Sequence, residues 1–124
     1  SRVIELLESQ RTGVILVTGA HADFAEEMSH FKRHLMSHGL KLDALFVNRT
    51  LSALPAWEEP SAAGTPVDEK ILQAKKLVEA LRDRESQAIA RLKQATGSLP
   101  TTLMPELARD VHTIEDLIHV ARRI

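Results

Sequence analysis

Two short apolar runs separated by a helix-length segment constrain the fold of this chain more than any other feature. The first run, Gly-Val-Ile-Leu-Val-Thr, covers residues 13–18, and the second, Leu-Asp-Ala-Leu-Phe-Val-Asn, covers residues 42–48. The first run is rich in β-branched residues and is typical of a strand buried on both faces of a parallel sheet, and the second run is predicted to be a second strand. Residues 22–38 between them carry apolar side chains at helical spacing, so the unit is predicted to be βαβ with parallel strands. These apolar residues are Phe24, Met28, Phe31 and Leu35.

The remaining segments extend the same α/β pattern. Residues 49–66 contain three prolines and little periodicity, which predicts a long loop. Thr65 and Pro66 have the residue types of a helix start, and that helix is predicted to run to about Gln94. Residues 101–107 are a third, shorter strand candidate. The alternation of strands and helices therefore predicts an α/β fold.

Helices are also predicted at both ends of the chain. Residues 3–7 are typical of the end of a helix, and Thr113 opens a last helix that has one apolar face. Three parallel strands make a thin sheet with open edges, whereas a complete sheet of this class usually has five or more strands. The sequence therefore predicts part of a larger sheet, with helices packed on its faces.

Charge and composition exclude several functional classes. The 16 basic and 17 acidic residues give a net charge of -1, which argues against a nucleic-acid-binding protein. No run of about 18 apolar residues is present, so no transmembrane segment is predicted. The first residues lack the basic-then-apolar pattern of a signal peptide, and the chain has no cysteine, which is compatible with the cytoplasm. We therefore expect a cytoplasmic protein.

The most informative polar residue is Asn48, directly after the second predicted strand and followed by Arg49. Open parallel sheets bind ligands at the carboxyl ends of their strands. An asparagine amide has both a donor and an acceptor, so it can pair with the amino group and the adjacent ring nitrogen of adenine. Asparagine is also common at strand-to-loop turns, and the dipeptide alone leaves both interpretations open.

Longer segments resemble ATPases of the arsenite-pump and tail-anchored-protein-targeting (ArsA) type. The segment VILVTGAHADFAEEMSHFKRHLMSHGLKLDALFVNR resembles that family's strand, helix and strand ending in Val-Asn-Arg, and TTLMPELARDVHTIEDLIHVARRI resembles its closing segment. The resemblance implies a three-layer fold like that of P-loop NTPases, with residues 1–124 as a single C-terminal segment. It also implies that adenine of ATP or ADP binds at one set of residues. These are Asn48, Arg49, Met104, Pro105, Glu106 and Leu107.

The sequence departs from this family at the phosphate end. None of the five glycines is followed by lysine, so the Gly-x-x-x-x-Gly-Lys-Ser/Thr loop that holds phosphates is absent. This chain alone is therefore not expected to be catalytic. We expect an N-terminal P-loop half, with its Mg²⁺ site, to complete a parent protein that hydrolyses ATP. The start at Ser1, directly before a helix in progress, favours such a boundary. Without cysteine, a zinc clasp and cysteine-bound arsenite are not implied.

Two further interpretations stay open at this point. His30, His34 and His38 follow one another at a spacing of four, and such pairs can chelate zinc or nickel. We interpret them as a solvated strip, because no acidic residue at compatible spacing completes a metal site. The alternative to the ATPase half is a stand-alone α/β interaction module without nucleotide binding. In either case, a sheet that lacks partner strands predicts a homo-oligomer.

Overall fold

A computed structural model describes residues 1–21, 23–51 and 68–124 of the chain. Four helices and three strands alternate along these residues, which confirms the predicted mixed α/β class. No helix in the described ranges is long and apolar enough to cross a bilayer. The elements are α1 (Arg2–Glu8), β1 (Val14–Gly19), α2 (Phe24–Ser37), β2 (Leu42–Thr50), α3 (Glu69–Thr96), β3 (Thr101–Pro105) and α4 (Ile114–Ala121).

The three strands form one parallel sheet in the order β1-β2-β3, as predicted. The register pairs Gly19 with Asn48 and Thr50 with Pro105, so all three strands end along the same edge. Strand β2 is longer than predicted, because Arg49 and Thr50 continue it instead of starting a loop. The remainder of the predicted loop, residues 52–66, lies outside the described residues, as do Thr65 and Pro66.

The hydrophobic core lies on one face of the sheet. Leu45 and Val47 of β2 pack with Ile89 and Leu92 of α3, and all four side chains are at least nine-tenths buried. Phe24 and neighbouring residues of α2 pack against the same cluster. Burial of each aliphatic side chain of this size stabilises the fold by about 1.5–3 kcal/mol. Both connecting helices therefore contribute to a single layer.

The opposite face of the sheet is largely uncovered among the described residues. Ile15 and Val17 of β1 are 64% and 62% exposed. Helix α4 approaches this face at the carboxyl end, where Val120 lines a groove together with Phe46. The described residues thus show a three-strand parallel sheet with its main helical layer on one face, and a three-layer arrangement like that of P-loop NTPases is not shown by them.

Strand order explains why one face is covered. Both crossovers, β1 to β2 and β2 to β3, step in the same direction across the sheet. Parallel crossovers share one hand, so two successive steps in one direction place both helices on the same face.

Helix α3 is longer than the sheet that it covers. Its buried residues all belong to its second half, from Glu85 to Thr96. Ile71 and Val78, which the helical spacing places on the same stripe as Leu92, are exposed. The apolar face of α4 is likewise exposed, with Ile114 at 73%. The amphipathic patterns predicted these helices correctly, but not which parts of them would be covered.

Local contacts define where the helices begin and end. Asp68 caps α3 by accepting a hydrogen bond from the backbone N–H of Lys70 at 3.1 Å. Thr113 caps α4 in a capping box with Asp116. At the other end of α3, Gly97 has a φ of 79°, and the Lys32 ammonium donates to the Thr96 carbonyl at 2.8 Å. Lys32 therefore connects α2 to the end of α3.

Candidate functional site

Asn48 lies at the carboxyl end of β2 with its side chain exposed. Its Oδ1 accepts a hydrogen bond from the backbone N–H of Arg49 at 2.9 Å. Because an N–H can only donate, this contact identifies the oxygen of the amide and fixes its direction. The Asn48 Nδ2 donates no hydrogen bond to the residues that the structure describes. One acceptor lone pair and two donor hydrogens therefore remain for a ligand.

Arg49 adopts a backbone conformation that is uncommon for its residue type. Its φ of 58° lies in the left-handed region, which residues with a Cβ rarely occupy. Its guanidinium donates to Glu106 Oε1 at 2.8 Å, and this hydrogen bond raises the pKa of Arg49 above its usual value. Since Glu106 directly follows β3, this solvent-exposed ion pair joins the ends of two neighbouring strands.

Two hydrogen bonds to main-chain carbonyls lie next to this ion pair. The Thr50 hydroxyl donates to the Met104 carbonyl at 3.1 Å, and the Glu106 N–H donates to the Thr50 carbonyl at 3.1 Å. Thr50, Met104 and Pro105 are buried. The strand ends are therefore held together by one side-chain and one backbone hydrogen bond to main-chain carbonyls, independently of the exposed ion pair.

All six residues predicted from the sequence lie around one groove of about 440 Å³. Met104 and Pro105 are buried beneath it, whereas Asn48, Arg49 and Glu106 are exposed. Because side chains alternate along a strand, Asn48 projects on the same face as Phe46, opposite the helical layer. The groove therefore combines one oriented amide with apolar surface. Its further lining residues are Phe46, Arg109, Asp110, Val111 and Val120.

A second cleft, of about 610 Å³, adjoins the groove on the β1 side. It shares Asn48, Arg49 and Glu106 with the groove and adds residues that follow β1, including His21. It also includes Glu85 of α3, which sequence analysis missed. A periodic signal was present, because Glu85 precedes Ala88, Ile89 and Leu92 at the spacing of the buried stripe.

Glu85 has a direct structural contact at this cleft. Its Oε2 accepts a hydrogen bond from the backbone N–H of Leu51 at 2.8 Å. The residue is only 9% exposed. Glu85 therefore attaches helix α3 to the residue that directly follows β2, three positions after Asn48.

The cleft and groove show no preformed metal centre. Among the described residues, no group of three or more histidine, aspartate or glutamate side chains could hold a metal ion. The groove provides hydrogen-bonding groups, apolar surface and two paired arginines, Arg49 with Glu106 and Arg109 with Asp116. No protein-family model matches the chain, and no curated protein is detectably similar to it.

Proposed function

We propose that the groove at the ends of β2 and β3 binds the adenine of ATP or ADP, and that the chain is the nucleobase-binding C-terminal half of an ArsA-type ATPase. The observation that carries the proposal is the exposed, oriented Asn48 amide, which shares one groove with residues 104–107. Ligand binding at the carboxyl ends of strands is the rule in open parallel sheets.

The hydrogen-bonding pattern favours adenine over guanine. The remaining lone pair of Asn48 Oδ1 suits the amino group of adenine, and Nδ2 suits its unprotonated ring nitrogen. Guanine presents a carbonyl oxygen and a protonated nitrogen at these positions. An amide rotated to fit guanine would lose the bond from the Arg49 N–H, which leaves a cost for the wrong base.

Apolar surface around the amide supports a flat base. Phe46, Met104, Pro105 and Val120 line the same groove as Asn48. Ligand sites commonly combine such apolar lining with a few placed polar groups. Asn48 thus selects the base, and the apolar residues around it contribute contact area.

Phosphate binding is assigned to another part of the parent protein. The chain lacks a P-loop motif, and the two arginines that line the groove, Arg49 and Arg109, are each paired with a carboxylate. We infer that the missing P-loop half binds the phosphates and Mg²⁺, and that the parent hydrolyses ATP. The uncovered sheet face around Ile15 and Val17 is consistent with such a half or with a second copy of this chain.

The uncovered face also favours the second candidate function, an interaction module without nucleotide binding. A parallel sheet is normally covered on both faces, so Ile15 and Val17 indicate a binding surface in either case. The two candidates differ only in the groove. Nucleotide binding at Asn48 is therefore the deciding measurement.

The test is a nuclear magnetic resonance titration of this chain with ATP and, separately, GTP. A bidentate base contact contributes about 1–3 kcal/mol, while a Kd of about 1 mM needs roughly 4 kcal/mol. We therefore expect millimolar binding of ATP, weaker binding of GTP, no hydrolysis, and shifts centred on residues 48–49 and 104–107. Asn48→Ala should weaken ATP binding several-fold. Asn48→Asp, which removes the donor, should do the same.

Gln87→Ala is the matched control, because it removes an exposed amide from α3, outside the residues that line the groove. It should leave ATP binding unchanged. Equal ATP affinity in the unsubstituted chain and in Asn48→Ala, or chemical-shift changes located away from the groove, would favour the interaction module instead.

A further inference from the structure

The three histidines of α2 differ in their hydrogen bonds, although their sequence spacing is regular. His30 Nδ1 lies 3.0 Å from a guanidinium nitrogen of Arg33. Since a guanidinium can only donate, the lone pair of His30 Nδ1 is already in use. The positive charge of Arg33 also opposes a metal cation at this ring. His30 is therefore a poor ligand.

His38 has the opposite arrangement. Its Nδ1 lies 2.9 Å from the His34 carbonyl and 3.1 Å from the Ser37 hydroxyl oxygen. The Ser37 hydroxyl donates its own proton to the His34 carbonyl at 2.7 Å, so both neighbours of His38 Nδ1 can only accept. Nδ1 must therefore carry hydrogen, and in the neutral ring the lone pair is on Nε2. Metal-binding histidines are commonly oriented by this kind of backbone contact.

His34 supplies a second ring at the same place. The ring centroids of His34 and His38 are 4.5 Å apart, and both side chains are exposed. Two nitrogens bound to one zinc ion, each at about 2.0 Å, lie roughly 3.3 Å apart, a separation compatible with two rings whose centroids are 4.5 Å apart. Both residues are at the carboxyl end of α2, where the helix dipole favours a cation.

We propose that His34 and His38 form a two-histidine site for a divalent transition metal such as Zn²⁺ or Ni²⁺. Imidazole suits these ions better than Mg²⁺ or Ca²⁺, which prefer oxygen ligands. With no third side-chain ligand among the described residues, water completes the coordination. The site is separate from the groove, because α2 begins after the carboxyl end of β1 and ends before β2.

Calorimetric titration of the untagged chain with NiCl₂ and ZnCl₂ tests the proposal. We expect a Kd on the order of 10⁻⁵ M, weaker than in four-ligand structural sites because only two protein ligands contribute. His34→Gln and His38→Gln should each weaken binding at least tenfold. His30→Gln is the matched control on the same helix and should leave binding unchanged. All three positions are exposed, and circular dichroism verifies that each variant is folded.

Metal should also raise the melting temperature of the unsubstituted chain and of His30→Gln, because the ion binds the folded helix. It should not raise that of the His34→Gln/His38→Gln double variant. The proposal is overturned if the double variant binds metal as tightly as the unsubstituted chain, or if His30→Gln weakens metal binding as much as the other two substitutions.

Discussion

Glu85 shows how a single buried carboxylate can support the site without facing the ligand groove. It accepts a hydrogen bond from the Leu51 N–H, directly after the strand that presents Asn48 and Arg49. An unpaired buried N–H is costly, so the residue holds the end of β2 against α3. Its role is structural, and its effect on Asn48 is indirect.

Two substitutions of Glu85 should distinguish the effect of its hydrogen-bond acceptor on stability from the effect of its negative charge. Glu85→Ala removes the acceptor of the Leu51 N–H and should lower the free energy of unfolding by about 1–3 kcal/mol. Glu85→Gln keeps an oxygen acceptor and should lower it less. Urea denaturation measures both, with the exposed neighbour Ser86→Ala as control. Equal losses for the two Glu85 variants would contradict the assignment.

Asp116 should give the N-terminus of α4 a specific pH dependence. Hydrogen bonds from the His112 backbone N–H, and then from Thr113, lower the pKa of Asp116 to about 2. A lowered pKa stabilises the fold above the pKa of the unfolded chain, near 3.9, and this contribution is lost as the pH falls toward 2. Carbon-13 titration of the carboxyl group should show a midpoint near 2.

Asp116→Asn is the control for that titration. It should remove the loss of α4 stability between about pH 4 and pH 2, while other carboxylates titrate as before. A midpoint near 4 for Asp116 in the parent chain would show that the capping box does not hold the carboxylate in solution.

Among the structural elements, α3 ends at a glycine in the left-handed conformation. Gly97 is in the left-handed region, and a Cβ added there would lie 2.9 Å from Lys32 Nζ. Gly97→Ala should therefore lower the free energy of unfolding by about 1 kcal/mol or more. Gly13→Ala is the matched control, because its Cβ would meet only Asp43 at 3.7 Å. Thermal denaturation of both variants checks the difference, and equal changes would contradict it.

The elements themselves were predictable because their signals are local. The apolar runs around Leu16 and Leu45 and the helical spacing of α2 depend on a few adjacent residues. Coverage of the helices and of the second sheet face was not predictable, because it depends on the order in which strands join the sheet. Ile71 and Leu92 share a stripe in the sequence, yet only Leu92 lies over the sheet.

The candidate site shows the same division. Asn48 and residues 104–107 could be grouped from the rule that strand ends meet at one edge, together with the family resemblance, and the structure places them around one groove. The left-handed conformation of Arg49 has no sequence signature. Glu85 had the periodicity of a buried residue, but it lies within a run of alternating charges that is typical of a solvated face.

At the scale of the whole molecule, one uncovered sheet face should drive self-association. We expect a dimer by analytical ultracentrifugation at tens of micromolar, because Ile15 and Val17 place branched apolar side chains on a face that parallel sheets normally bury. Val17→Glu should shift the chain to monomer without changing its circular dichroism. Leu16→Glu, on the core face of the same strand, should unfold it instead.

Met36→Glu controls for the loss of an exposed apolar side chain outside the uncovered sheet face. Met36 is also an exposed apolar residue, but it lies on α2 and not on the uncovered sheet face. Its substitution should leave the dimer intact. A monomeric parent chain at these concentrations, or dissociation by Met36→Glu alone, would show that the uncovered face is not the contact.

The unequal packing of α3 has a mechanical consequence. A helix of 28 residues is about 42 Å long, and residues 69–81, about 20 Å of it, extend beyond the buried half. Over about 20 Å, a change of about 10° in the direction of the helix axis corresponds to a displacement of roughly 3.5 Å at the first turn. Glu85 lies at the start of the buried half and accepts the Leu51 N–H at 2.8 Å, so a reorientation of α3 at this residue would displace the first turn of the helix much more than the end of β2.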